Sequence, residues 1–180
     1  MNNLLERRLR SGQTLRYHTT PHLGAGQSVS EHAWRTTVLM HTLWPDIVTL
    51  RAVMYALYHD AAEQTLGDLP APAKWNYADL ADAYSVAEKQ IEQELGVPDD
   101  LTPDEQHICK MADTLELVDY VAHRIMRGDH SYEARNIYWN GRKHLLLKYG
   151  KNVLFGPAEQ YLAQLHAQVV RVCPTAISHP

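Results

Sequence analysis

The sequence has little of several things, and each scarcity narrows its reading. It holds two cysteines, Cys109 and Cys173, in 180 residues. So few in a mid-sized chain make no disulfide framework and fit a reducing compartment. No apolar run approaches the roughly 18 residues that a membrane helix needs. The opening Met1-Asn-Asn-Leu-Leu-Glu-Arg-Arg8 lacks the apolar centre of a secretory signal. Repeats, low-complexity blocks and Gly/Ser linkers are missing. Two-residue alternation and Asn-Gly hairpin signals are missing too, so no strand is expected. A net charge of −4 gives no broad basic surface for a nucleic-acid polymer, and leaves room for a local basic pocket that takes a small polyanion.

What is present is the punctuation of a helical bundle. At this length a single all-α domain over 1–180 is the simplest expectation. Ser28-Val-Ser-Glu31 reads as a capping box that starts a helix running to about Trp44. Pro45-Asp46 breaks it, and a second helix runs to about Glu63. A third covers 79–95, stopped by Gly96 and Pro98. Thr102-Pro-Asp-Glu105 opens a fourth, in which Ile108, Met111, Ala112, Leu115, Val118, Ala122 and Ile125 recur at helical spacing until Gly128. Two more cover 131–149 and 157–172. Gly, Pro and Thr make 10–27 a loop.

The most informative residues are His59-Asp60, near the end of the second helix, with Glu63 three positions on. His32 stands upstream, in the first turns of its own helix, and Asp113 downstream, in Met111-Ala-Asp-Thr-Leu115. Two imidazoles and two carboxylates from three helical segments form a ligand set for one divalent metal. That mixture suits Mn, Fe, Co or Zn better than Ca. Adjacent residues point about 100° apart on an ideal helix, so His59 and Asp60 ligate together most easily where the helix ends. Glu63 shares a face with His59, beside the metal without being a ligand. Lys110 lies three residues from Asp113, where an ammonium lowers the acid's pKa and reaches a phosphate oxygen. Taken singly, each of these residues has an ordinary explanation: a surface histidine, a helix-end acid, a buried ion pair.

The ordered set Val29-Ser-Glu-His32, Tyr58-His-Asp-Ala-Ala-Glu63, Gly67-Asp-Leu-Pro70 with Lys74, and Lys110 with Asp113 resembles the HD-domain phosphohydrolases. It is closest in pattern to the bacterial 5'-deoxynucleotidases of that fold. The opening Arg16-Tyr-His18 and the short length look more like the phage branch, which includes dATP triphosphohydrolases. The resemblance runs from about Arg16 to Asp113. It implies an HD-domain helical bundle that binds His32, His59, Asp60 and Asp113 to one transition metal (Zn, Mn, Co or Fe), with Mg accompanying a triphosphate substrate. A water activated by the ion attacks the α-phosphorus. Glu63 and Asp68 position that water or protonate the departing 5'-oxygen. Arg16, Lys74 and Lys110 hold phosphate, while Tyr17 and Trp75 wall the sugar or base. Where these families carry Trp after the arginine, this sequence has Tyr17, at a position associated with rejecting ribose. A homo-oligomer, at least a dimer, is expected, with a nucleotide as the small-molecule partner. Two rivals stand beside this reading. A non-catalytic nucleotide sensor would have no use for Glu63, Asp68 and Arg16. A two-metal phosphodiesterase would need further histidines, and His41, His107 and His123 match no such motif.

Overall fold

The structure, a computed structural model, describes residues 2–17 and 26–174. Among them run nine helices: α1 (Asn2–Ser11), α2 (Val29–Leu43), α3 (Leu50–Tyr58), α4 (Glu63–Leu66), α5 (Ala71–Asn76), α6 (Ala78–Leu95), α7 (Pro103–Met126), α8 (Tyr132–Tyr149) and α9 (Gly156–Val172). A two-residue antiparallel ladder joins β1 (Leu15–Arg16) to β2 (Gln27–Ser28), with Leu15 opposite Ser28 and Arg16 opposite Gln27. No helix among the described residues is long and apolar enough to cross a membrane.

The long helix α7 is the axis of the bundle, and α2, α3, α8 and α9 pack around it. Its start follows from Thr102, whose hydroxyl accepts from the Glu105 amide while the Glu105 carboxylate accepts from the Thr102 amide. These two bonds satisfy donors that a helix start otherwise leaves open. Ile108, Met111, Ala112, Leu115, Val118, Val121, Ala122 and Ile125 are all fully buried. Helix α8 comes close because Gly141 faces Val118: a Cβ at 141 would sit 2.6 Å from its Cγ2. Helix α6 stops at Gly96, which takes a left-handed φ of 67° that costs glycine nothing.

Ser28 caps α2 as expected, accepting from the Glu31 amide. Four features differ from the sequence expectation. The second helix ends at Tyr58 instead of reaching Glu63. Beyond it the ladder tightens, with Ala61 N–H to Tyr58 O at 2.9 Å and Glu63 N–H to Asp60 O at 3.1 Å, before the short α4 begins. The 10–27 segment, expected to be loop without strand, contains the end of α1, all of β1 and the first residue of β2, and its residues 18–25 lie outside the described part. Helices α1 and α5 were not anticipated. The third helix starts one residue early, at Ala78.

Candidate metal centre

His32 rises from the first turns of α2 and is fully buried. Its Nδ1 lies 2.7 Å from a carboxylate oxygen of Glu116, which can only accept when ionised, so the ring presents Nε2 to the interior of the site. His59 is the C-cap of α3. Its Nδ1–H donates to the Ala56 carbonyl at 3.0 Å, which turns its Nε2 inward as well. The two Nε2 atoms stand 3.3 Å apart. Asp113 Oδ1, from α7, completes the group at 3.1 Å from His32 Nε2 and 3.7 Å from His59 Nε2. These three ligand atoms lie within 4.8 Å of one another. Asp60 closes the side below: Oδ2 is 3.5 Å from His32 Nε2, and Oδ1 is 3.4 Å from His59 Nε2. Ending α3 at His59 is what lets neighbouring side chains face one point.

Two carboxylates crowded against two imidazoles hold positive charge there. Burial works against a charged His59, but Asp60 and then Asp113 override it and lift the imidazole to about 10. Desolvation also works against the Asp113 anion, and hydrogen bonds from His32 and His59 reverse that effect, holding the acid well below its usual range. The imidazoles, not Lys110, are therefore the principal partners of Asp113. The donor set suits a divalent ion: two imidazole nitrogens with their other nitrogens already engaged, and carboxylate oxygens in a largely desolvated pocket.

Arg16, delivered by β1, leans over this group with Nη1 3.6 Å from Asp60 Oδ2. That separation is too long for a hydrogen bond. Its side chain is only 15% exposed, and among the described residues Nε and Nη1 have no hydrogen-bond partner. Tyr17 has a left-handed φ of 60°, a conformation uncommon outside glycine. Its ring stacks on Tyr120 at 5.6 Å, and its amide donates to Asp68 Oδ2 at 3.0 Å. Asp68 thus anchors the strand that carries Arg16 over the site. Glu63 is 6% exposed, and its Oε2 has no hydrogen-bond partner among the described residues. Burial, then the Asp60 charge, push its carboxyl up to about 8.

The basic residues are spread more widely. Lys110 is exposed and lines a water-sized cavity of about 20 Å³ with His59, Asp113 and Thr36. Lys74 is exposed on α5, with its ammonium 5.0 Å from the centre of the Tyr84 ring. Trp75 lies among the side chains outside the description. The histidines of the two-metal rival sit elsewhere: His107 packs against Tyr149, His123 bonds the Asp119 carbonyl, and His41 is exposed. Sequence reasoning missed Glu116. It lies one helical turn past Asp113 and is fully buried, while in the sequence it reads only as one more acid on the long helix.

The price of burying Glu63 is measurable. Its proton is held more tightly in the folded chain than in the unfolded one, with the carboxyl moving from 4.5 to about 8. Stability conferred by the neutral form is full below pH 4.5 and is lost as pH rises to about 8. In the metal-free protein, Glu63→Gln should melt with wild type at pH 4.5 and above it at pH 9, by about 3 °C or more. Melting curves across that window check this; a gap that does not widen with pH contradicts the burial argument.

The family profile described as 5'-deoxynucleotidase YfbR-like matches residues 19–122. A 5'-deoxynucleotidase of Klebsiella pneumoniae strain 342 is 32% identical over 112 residues, 49% of this chain and 56% of that one. The 5'-deoxynucleotidase YfbR of Salmonella typhi is 34% identical over 89 residues, 45% of this chain and 43% of its own. The chain spans about half the length of the curated relatives it matches. Among solved structures, the cyanophage S-2L HD phosphohydrolase DatZ, bound to dA and one catalytic Zn2+ ion, has a TM-score of 0.70. Its identity is 22%, with 92% of this chain and 96% of that one covered. The PH0347 protein of Pyrococcus horikoshii OT3 has a TM-score of 0.69 at 14% identity, covering 93% of this chain and 99% of its own. At these identities the two structures establish the helical fold, and the profile, which covers more than half of the sequence, establishes the lineage: the chain belongs to the YfbR-like 5'-deoxynucleotidase family.

Proposed function

We propose that residues 1–180 act as one unit that hydrolyses the 5'-phosphoryl group of 2'-deoxynucleotides. His32, His59, Asp60 and Asp113 hold one divalent transition ion: Zn, Mn, Co or Fe. The observation that carries this reading is Arg16. It is a nearly buried guanidinium with open donors, aimed at the carboxylate edge of a cluster built for a cation. A phosphoryl group brought between them meets a planar fork of donors on one side and the ion on the other. The names of the relatives support the same chemistry, as does the deoxyadenosine and zinc held by DatZ.

When bound, the ion supplies Lewis acidity and a water acidified for attack at neutral pH. The chain's own residues supply position and proton handling. Arg16 orients the phosphoryl oxygens and neutralises charge that builds on them. In hydrolysis, oxygen from water bonds to the α-phosphorus as the P–O5' bond breaks, and a proton ends on the 5'-oxygen. Glu63, one turn beyond the cluster, orients the water or delivers that proton. Asp68 shares this work and holds Tyr17 in place. A monophosphate leaves nucleoside and inorganic phosphate; a triphosphate leaves nucleoside and triphosphate. Lys74 and Lys110, at the exposed margin, contact phosphates beyond the first, with Mg accompanying the longer tail.

Tyr17 sets the sugar preference. Its strained backbone and its stack on Tyr120 hold the ring beside Arg16, against the face where the sugar lies. A ribose 2'-hydroxyl buried there without a partner costs roughly 1–3 kcal/mol, or about 10- to 150-fold in kcat/KM, a penalty that is avoided if it bonds the Tyr17 hydroxyl, which has no partner among the described residues. Comparing AMP with dAMP and ATP with dATP, in wild type, Tyr17→Trp and Tyr17→Ala, tests this. The expected result is a deoxy preference, with dATP favoured among triphosphates, that Tyr17→Ala relaxes. Equal efficiencies for both sugars in wild type remove the deoxy assignment, and equal efficiencies for all four deoxy bases remove the adenine preference. Turnover itself separates an enzyme from a nucleotide sensor. The scarcity of cysteine, with Cys109 and Cys173 both buried, fits a cytoplasmic setting. A homo-oligomer would cover Leu5, Leu9 and Leu15, which are 61%, 69% and 56% exposed; light scattering that finds a monomer rules it out.

A further inference from the structure

Behind His32 the charged groups continue away from the site. Glu116 Oε2 takes the Nδ1 proton of His32 at 2.7 Å. Its other oxygen, Oε1, accepts two donors, Gln27 Nε2 and Arg35 Nε, each at 2.7 Å. Arg35 then turns its Nη2 to the carboxylate of Asp119, and the other oxygen of Asp119 accepts the hydroxyl of Tyr161. Glu116 is wholly buried and Asp119 nearly so. Tyr161 belongs to α9, well beyond residue 122, where the family match ends.

We propose that Glu116 is a positioning residue for the ion, and that Arg35, Asp119 and Tyr161 make its position depend on α9. The proposal rests on the metal-site reading above and adds the tautomer of His32 to it. Glu116 is surrounded by three donors and has acceptors for all of them. As long as it remains a carboxylate, His32 must carry its proton on Nδ1 and leave the Nε2 lone pair free for a cation. A glutamine of the same shape cannot do this. With its oxygen toward Arg35 and Gln27, its amide N–H meets His32 Nδ1, which must then accept, and the ring proton moves to Nε2 and blocks the ligand atom. With its oxygen toward His32, its amide N–H groups meet two donors. Either orientation damages the site without changing its volume. Tyr161 acts at longer range. Its hydroxyl fixes one oxygen of Asp119 while Arg35 takes the other, so the guanidinium stays level with Glu116.

The test is a Co2+ and Zn2+ titration of metal-free wild type, Glu116→Gln, Glu116→Asp and Tyr161→Phe against a chromophoric chelator. The Co2+ absorption spectrum, the metal-free melting point and kcat and KM for dAMP are measured alongside. Glu116→Gln should bind about 10- to 100-fold more weakly, with an altered Co2+ spectrum. Its kcat should fall at limiting metal, while KM for dAMP stays within about two-fold. Glu116→Asp, which keeps the charge, should recover part of the affinity. Tyr161→Phe, which removes one oxygen and leaves the helix intact, should lose a smaller, measurable factor of about 2 to 5. Affinity within error of wild type in Glu116→Gln overturns the role of Glu116. The same result in Tyr161→Phe overturns the link to α9, and serves even if the glutamine variant fails to fold. A wild type that binds neither ion overturns the metal site itself, a failure distinct from the other two.

Discussion

Alanine at His59 or at Asp60 is expected to abolish turnover by loss of the ion, with the helical fold retained. His59 caps the C-terminus of α3, with its side chain 11% exposed; Asp60 follows in the turn, with its side chain 17% exposed. Neither belongs to the apolar set that holds the bundle. That set lies along α7, with Ala52 and Ala56 of α3 packed against it. What both residues do is face the point shared with His32 and Asp113. Removing Asp60 also takes from Arg16 the carboxylate 3.6 Å from its Nη1, so the proposed phosphate clamp would lose its orientation in the same step. Elemental analysis beside circular dichroism measures both halves of the claim. A folded, inactive variant that still carries a full equivalent of metal refutes the ligand assignment.

The second large effect is expected at Glu63. Glu63→Ala should keep the ion and bind nucleotide, yet lose on the order of 100- to 10,000-fold in kcat, the range typical of a lost proton-transfer group. Glu63 starts α4, close enough to Asp60 for the two charges to repel, and one carboxylate oxygen is buried without a hydrogen-bond partner among the described residues. Such a group costs stability in the resting protein. On the proposed function, that cost makes sense because the proton would be wanted beside the phosphoryl group that Arg16 would orient. A kcat close to wild type takes Glu63 out of the mechanism. An inactive variant with metal and substrate affinity intact also offers a trap for a bound nucleotide.

The parts of this molecule legible in the sequence are those specified locally. Ser28 and Thr102 announce α2 and α7 because a capping side chain bonds an amide three residues away. The buried face of α7 shows in the spacing of Ile108, Met111, Leu115 and Val118 because one helix supplies it all. Helix α1 was illegible for the opposite reason: its leucines remain largely exposed, and Arg8 ties it to the end of α6 through the Leu95 carbonyl. Strands of two residues are too short to carry alternation. At the site, His32, His59, Asp60 and Asp113 could be picked out by their order and context. Their supports could not. Glu116 reads in sequence as one more acid on a charged helix, and only packing shows that it is sealed behind His32. Arg35 and Tyr161 reach the same network from α2 and α9, a distance along the chain that no local pattern spans. The sequence predicts a helix running on to Glu63, with joint ligation easiest near its end; the helix ends earlier, at Tyr58, and a tight turn through Asp60 follows.

The central claim is that one ion, held by His32, His59, Asp60 and Asp113, drives hydrolysis of a deoxynucleotide at its 5'-phosphoryl group. It is tested most directly by titrating metal-free protein with Zn, Mn or Co and following release of deoxynucleoside from dAMP and dATP by chromatography. Without metal no product is expected, and activity should rise with ion content and saturate at about one ion per chain, with phosphate released from dAMP and intact triphosphate from any dATP consumed. Deoxynucleoside release that is already complete in metal-free protein, or a fully loaded chain that turns over no nucleotide, would contradict it.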